Sequence, residues 1–167
     1  MQKNINALIV IILSAVLLGA FGFQFIKHEE PCPLCLLQRL GMLGIGIGAA
    51  MNVRFGIQMN HYGIMLLSSI FGGTVALRQI ALHVCPTFPL FGIPFMGLSL
   101  YTWSFLVFAC TVLAVALLLV LYDIKKESSD KAPMNELGSF ALWLLFLIAI
   151  GNAIATYFQC GLGPCVD

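Results

Sequence analysis

Residues 31–39 read PCPLCLLQR and lie between two long apolar segments. In a soluble protein, a Cys-x-x-Cys pair suggests a zinc site or a thioredoxin-type redox centre. Here residues 5–26 before the pair are charge-free, and the residues after Cys35 begin a second apolar stretch that is long enough to cross a membrane. The motif therefore predicts thiol redox chemistry at the end of a membrane helix, with a lipid-soluble molecule as the reaction partner.

The composition predicts a membrane protein. Of the 167 residues, 60% are hydrophobic and 9% are charged, with a mean hydropathy of +1.01, whereas an ordinary globular domain carries about 25% charged residues. The length allows one compact membrane domain without a separate soluble domain. The net charge of +1 and the lack of a basic run give no sign of nucleic-acid binding.

Five membrane-spanning helices are expected, because each span needs about 20 apolar residues. They are predicted at about 5–26, 36–53, 62–82, 97–122 and 137–158. The connections are predicted as an outer-surface segment over 84–96 that could cover a site, an inside loop over 123–136 and an outer-side tail over 159–167. Four glycines on the second helix indicate close helix packing, at Gly41, Gly44, Gly46 and Gly48.

The Lys/Arg bias of the short loops predicts an inside N-terminus. Five of the six cysteines then face the compartment in which disulfides persist. The exception is Cys110, in the middle of the fourth helix, which we interpret as a small packing residue. Cys85 is interpreted either as a further redox thiol or as an idle outer-side residue.

Cys35 is expected in the first turn of its helix, where the unpaired N–H groups favour a thiolate. Arg39 follows four residues later on the same face and adds positive charge. One interpretation of Arg39 is an arginine that reaches lipid phosphate. The other is a donor to the oxygen of a lipophilic ligand with a polar head.

Further polar residues are predicted at the same outer end. Arg78, Gln79 and His83 close the third helix, and together with Arg39 they suggest a pocket near the cysteine pair. The tail carries Cys160 and Cys165 with four intervening residues, two of them glycines and one a proline. An exchangeable disulfide is the favoured interpretation, and a static cross-link is the alternative.

The pattern Pro-Cys-x-Leu-Cys-x-x-x-Arg at residues 31–39 resembles the DsbB family of bacterial disulfide-generating membrane proteins. The Arg78-Gln79 end of the third helix resembles it less specifically. The resemblance implies an all-α integral membrane fold, a DsbB-like four-helix bundle to which this chain adds a fifth C-terminal transmembrane helix. It also implies a bacterial inner-membrane location, binding of ubiquinone or menaquinone from the quinone pool at the outer leaflet, and reoxidation of a periplasmic DsbA-like thioredoxin-fold partner.

By the same resemblance, Cys32 and Cys35 are the quinone-linked pair, with Cys35 nearer the ring and Arg39 its polar neighbour. The second redox pair of the family usually lies in the loop between helices three and four. This chain has only Cys85 there, so the resemblance implies that the second pair has moved to Cys160 and Cys165.

Other interpretations of the sequence remain. The outer-side cysteines of a membrane metal carrier could bind Zn²⁺ or Cu(I). A thiol oxidoreductase of the vitamin K epoxide reductase type would run similar chemistry on a similar bundle, but it carries its quinone-side pair on a later helix. A purely structural membrane protein would use its cysteines only as cross-links.

Overall fold

A computed structural model describes residues 2–26, 32–84, 95–121, 136–161 and 163. Within these ranges the chain forms five helices, each long and apolar enough to cross a membrane, and its only β-structure is an isolated bridge between Phe95 and Leu98. The all-α membrane fold is therefore confirmed. The helices are α1 (Gln2–Ile26), α2 (Pro33–Phe55), α3 (Met59–Val84), α4 (Leu100–Val120) and α5 (Glu136–Cys160).

Local capping explains where two of the helices begin. α2 starts at Pro33, earlier than predicted, because Cys32 is its N-cap and Pro33 needs no hydrogen-bond acceptor in the first turn. α4 starts at Leu100, later than predicted, because Met96 and Gly97 have positive φ angles of 52° and 81° and form a tight turn. Most of the three predicted connections, residues 85–94, 122–135 and 164–167, lies outside the described residues.

The second helix is the centre of the bundle. α2 packs against α1, α3 and α5, while α4 packs chiefly against α3, and α5 also packs against α1. α2 is consequently the most buried of the five spans. Because α1 and α4 lie on opposite flanks and make little direct contact, the α1–α4 side of the bundle is its open side.

The glycines of α2 permit this close packing, as the sequence predicted. Gly41, Gly44 and Gly48 face α3, and a Cβ atom at any of them would meet α3 atoms at 3.0 Å or less. Gly46 faces α5 instead, where a Cβ atom would lie 2.8 Å from Leu145 Cδ1. The absence of side chains at these positions lets two neighbouring helices approach α2 closely.

A buried polar network ties α1, α2 and α3 together at the end of the bundle that is remote from Cys32. Asn52 Nδ2 donates to Asn6 Oδ1 at 3.0 Å, and Asn6 Nδ2 donates to the Tyr62 hydroxyl at 3.1 Å. Asn52 Oδ1 accepts from the Gln58 backbone N–H at 3.2 Å and lies 3.0 Å from His61 Nδ1. These bonds satisfy polar groups that would be costly to bury unpaired, and they fix the α2–α3 connection.

Candidate active site

The Cys-x-x-Cys pair forms the first turn of α2. The Cys35 backbone N–H donates to Cys32 O at 2.9 Å and contacts Cys32 Sγ at 3.2 Å. Both cysteines are partly buried free thiols. The pKa of the Cys32 thiol is raised above its usual range, first because its side chain shares a hydrogen bond with Cys35 and then because it is buried. A raised pKa disfavours the Cys32 thiolate, which is the reactive form of a cysteine.

Gln79 of α3 brings a side-chain amide to both sulfurs. Its Nε2 atom lies 3.3 Å from Cys32 Sγ and 3.5 Å from Cys35 Sγ. Gln79 is 1% exposed, and its Oε1 atom accepts a hydrogen bond of 2.6 Å from Gln38 Nε2. The same oxygen can accept a second hydrogen bond and lies 3.9 Å from Cys35 Sγ, so both ends of the Gln79 amide contact the cysteine pair.

Arg39 lies one helical turn beyond Cys35 and is 7% exposed. Its guanidinium donates to Gln24 Oε1 at 2.8 Å and to the Ala20 carbonyl at 3.2 Å, and its Cζ atom lies 5.0 Å from the centre of the Phe21 ring. Among the described residues, no carboxylate pairs with it. The site therefore contains a buried positive charge that is held by neutral groups of α1.

These residues form the polar end of a cavity of about 340 Å³ between α1, α2, α3 and α4. Cys35, Gln38, Arg39, Gln79 and Gln24 contribute the polar groups at this end. The rest of the lining is mainly apolar and aromatic and comes from α1, α4 and the turn before α4, at Val16, Ala20, Phe23, Phe95, Leu100 and Val107. Such a cavity suits a ligand with a compact polar head and an apolar body.

Aromatic side chains pack beside the cavity at the Phe95–Leu98 turn. The Phe95 ring packs edge-on against Phe23 of α1 and Trp103 of α4, with centroid distances of 6.0 and 6.4 Å. Trp103 Nε1 donates to the Phe95 carbonyl at 3.0 Å. The turn thus bridges the two helices on either side of the open flank of the bundle.

The structure separates the site residues that the sequence grouped together. Cys35, Arg39 and Gln79 line the cavity. His83 lies behind its wall, with Nδ1 2.8 Å from the Gln79 carbonyl and its ring stacked at 5.0 Å on Tyr101. Arg78 is exposed and is not among the lining residues, because it points away from Gln79 on the same helix.

The remaining cysteines are distributed as follows. Cys160 is the last residue of α5 and is disulfide-bonded, while its predicted partner Cys165 lies outside the described residues, as does Cys85. Cys110 is an exposed free thiol on α4. The described residues contain no group of three or more His, Cys, Asp or Glu side chains that could hold a metal ion.

Two functional candidates were missed by sequence reasoning. Gln38 orients Gln79 and lines the cavity, although it is part of the opening motif. Gln24 holds Arg39 from α1. The sequence could have pointed to both residues, because an amide side chain inside a membrane span is rare and is costly to bury unless it has a hydrogen-bond partner.

Comparison with known proteins identifies the family. The family model described as Disulfide bond formation protein DsbB matches residues 2–90. The chain is 33% identical over 157 residues to Disulfide bond formation protein B of a Polaromonas species, covering 72% of this chain and 91% of the relative. It is 31% identical over 149 residues to Disulfide bond formation protein B 1 of Pseudomonas fluorescens, covering 70% and 88% respectively.

Other matches are shorter. The match to Disulfide bond formation protein B of Burkholderia pseudomallei is 31% identical over 91 residues, so that it spans 52% of this chain and only about half, 53%, of that relative. No solved structure matches the chain. The family match covers α1 to α3, which carry the cysteine pair, Arg39 and Gln79, and two relatives are matched over most of their length. The chain therefore belongs to the DsbB family of disulfide bond formation proteins.

Proposed function

We propose that this protein is a membrane thiol oxidase that takes electrons from the dithiol of a periplasmic DsbA-like thioredoxin-fold protein and delivers them to ubiquinone or menaquinone in the inner membrane. The observation that carries the proposal is the position of Cys35 on the wall of an apolar cavity that also contains a buried arginine. Membership of the DsbB family supports the same chemistry.

The cavity fits a quinone in shape and polarity. Its volume of about 340 Å³ lies within the range of roughly 300–1,000 Å³ that is typical of small-molecule sites. The donors of Arg39, Gln38 and Gln79 gather at one end, where they can bind a ring oxygen. The apolar residues of α1 and α4 line the rest, and because these two helices make little contact, an isoprenoid tail can leave between them into the lipid.

Arg39 is suited to stabilising negative charge at that polar end. Its bonds to Gln24 and Ala20 use two of the five N–H donors of a guanidinium, which leaves others for a ligand oxygen. Among the described residues, no carboxylate lies beside Arg39 to neutralise its charge. A fixed positive group in a water-poor site stabilises developing charge more strongly than the same group in water.

The protein groups then perform thiol chemistry in two stages. A thiolate of the reduced partner attacks the disulfide of Cys160 and, by our sequence assignment, Cys165, and the second partner thiol resolves the mixed disulfide. The resulting dithiol passes two electrons to an oxidised Cys32–Cys35 pair by the same exchange. A bound quinone would supply the two-electron acceptor that reoxidises this pair. Gln79 orients the sulfur atoms of Cys32 and Cys35, and of these two residues Cys35 is the one that lines the cavity.

A test of the proposal combines purified protein, an excess of reduced thioredoxin-fold partner and a short-chain ubiquinone without oxygen, with quinone absorbance as the readout. We expect catalytic loss of the quinone signal for the parent protein and for Cys110→Ala, the control that removes an exposed cysteine outside the site. Cys35→Ala should reduce the rate to background. Unchanged turnover by Cys35→Ala would reject the proposed function.

A metal carrier receives less support. Among the described residues, no cluster of ligating side chains is present, and the donors nearest to the cysteines are amides rather than carboxylates or imidazoles. Fully reduced cysteines with one metal ion bound per protein would instead favour that alternative.

A further inference from the structure

The fifth helix is packed along the bundle through a regular stripe of buried, mainly apolar residues. Ala141, Leu145, Ile148 and Asn152 are all at least nine-tenths buried, and their spacing of four, three and four residues places them on one helix face. This face packs against α1 and α2. α5 is therefore held by side-chain packing over about three turns, and not only by its connection to α4.

One contact in this interface fixes the position of α5 along α2. A Cβ atom at Gly46 would lie 2.8 Å from Leu145 Cδ1 and 3.3 Å from Leu145 Cδ2. The Leu145 side chain thus sits against the bare backbone at Gly46. A larger residue at position 46 would push Leu145, and with it α5, outward or along the bundle axis.

The rise per residue of an α-helix gives the distance of each redox pair from this contact along the bundle axis. Cys32 lies fourteen residues from Gly46 toward the start of α2, and Cys160 lies fifteen residues from Leu145 toward the end of α5. Since each span begins on the side of the membrane where the previous one ended, both stretches run to the same end of the bundle. At a rise of about 1.5 Å per residue they reach about 21 and about 22 Å, which places Cys32 and Cys160 at nearly equal depth.

Cys160 is also held by the helix itself. α5 continues to Cys160, and the chain leaves the helix only at Gly161, which has a φ of 61° and whose N–H donates to the Tyr157 carbonyl at 2.8 Å. A glycine with positive φ directly after the last helical residue is a common helix terminator. The position of Cys160 is therefore set by the docking of α5.

From these contacts we infer that the seating of Leu145 against Gly46 is a positioning device that holds the Cys160 disulfide at the level of Cys32, so that α5 provides the second redox pair of the relay. This inference rests on the proposed function. A thiolate of the reduced Cys160 pair attacks the Cys32–Cys35 disulfide and releases one of its sulfurs as a thiolate. The second thiol of the Cys160 pair then resolves the mixed disulfide. The Cys32–Cys35 pair gains two electrons and two protons, and the Cys160 pair loses them.

Cross-linking without quinone tests the positioning directly. In a Cys35→Ala/Cys165→Ala background, Cys32 and Cys160 each lose their predicted partner, and a mild oxidant should join them into an intramolecular disulfide, which is measured by mass spectrometry of the digested protein. Replacement of Cys85 and Cys110 by alanine removes competing thiols. We expect Gly46→Leu to slow this cross-link at least tenfold.

Two further variants keep the test decisive. Gly151→Leu is the matched control, because position 151 lies on α5 near the contact but a Cβ atom there meets nothing within 4 Å, so its cross-linking rate should be unchanged. Adding Leu145→Ala to Gly46→Leu restores space at the contact and should recover the rate. A parent background that does not cross-link, or a folded Gly46→Leu protein that cross-links at the parental rate, would overturn the inference.

The outcome is separable from the proposed function. Quinone reduction by the wild-type protein with dithiothreitol, a small dithiol that can reach Cys32–Cys35 without the α5 pair, is measured in parallel. Failure of that reaction counts against the proposed oxidase, whereas its success together with cross-linking that does not respond to position 46 counts against the positioning role of α5 alone.

Discussion

Replacement of Arg39 by methionine should weaken quinone binding strongly. The substitution keeps most of the apolar volume of the side chain but removes the guanidinium of Arg39, a residue that is 7% exposed and lines the cavity. A hydrogen bond from a charged donor contributes about 1.5–3 kcal/mol. Since every 1.4 kcal/mol changes an equilibrium constant tenfold, we expect the KM for a short-chain ubiquinone to rise about 10- to 100-fold.

The same substitution has a structural cost that must be measured separately. Loss of the guanidinium leaves Gln24 Oε1 and the Ala20 carbonyl without the donors that they have now. Each lost hydrogen bond between partly buried groups costs about 0.5–1.5 kcal/mol, so Arg39→Met should also unfold at a lower denaturant concentration. Gln24→Leu removes one of these groups while keeping the charge, and it should change the KM much less than Arg39→Met.

The kinetic assay distinguishes the two arginines that the sequence analysis placed near the quinone. Initial rates are measured against quinone concentration with the reduced partner at saturation. Arg78→Met is the matched control, because Arg78 is exposed and does not line the cavity, and its KM should stay within about twofold of the parent. A folded Arg39→Met protein with an unchanged KM would refute the assignment of Arg39 to the ligand.

Three further variants probe the surroundings of the site. Gln79→Leu removes the amide that contacts both sulfurs. At about 1 kcal/mol for each lost hydrogen bond, it should slow single-turnover quinone reduction about 5- to 30-fold. An unchanged rate would show that the amide does not act on the sulfurs. Gly72→Ala should lower the free energy of unfolding, measured in a detergent titration, by about 1–3 kcal/mol, because its Cβ atom would overlap the Phe108 ring. Gly73→Ala, whose Cβ atom has its nearest contact at 3.6 Å, should be nearly neutral. Equal effects at the two positions would contradict this packing. Asn52→Leu breaks the polar network at the opposite end of the bundle and should lower the free energy of unfolding by about 2 kcal/mol or more. The quinone KM should not change, and a changed KM would mean that the two ends of the bundle are coupled.

Hydropathy and small-residue spacing were sufficient to predict the fold. Five apolar stretches gave five helices, and the glycines of the second helix indicated its close packing against its neighbours. The ends of the helices were harder to predict from the sequence, because they depend on capping residues and turns. α2 begins early where Cys32 caps it, and α4 begins late where Gly97 takes a positive φ.

The candidate site was only partly predictable. Cys35 and Arg39 lie on one helix face by their spacing alone, and the structure places both on the cavity wall. The sequence could not distinguish Arg78 from Gln79, since neighbouring residues on a helix point about 100° apart and the choice depends on which face of α3 meets α2. Gln38 and Gln24 were missed for the same reason, because their importance lies in contacts between helices.

The central claim is that the Cys32–Cys35 dithiol itself reduces a quinone bound in the cavity. Its most direct test uses a Cys160→Ala/Cys165→Ala variant, fully reduced, freed of reductant and mixed anaerobically with one equivalent of short-chain ubiquinone. Quinol is then quantified by absorbance, and the cysteines are mapped by alkylation and mass spectrometry. We expect one quinol per protein, formed together with a Cys32–Cys35 disulfide. Quinone that stays oxidised, or quinol that appears while Cys32 and Cys35 both remain open to alkylation, would contradict the claim.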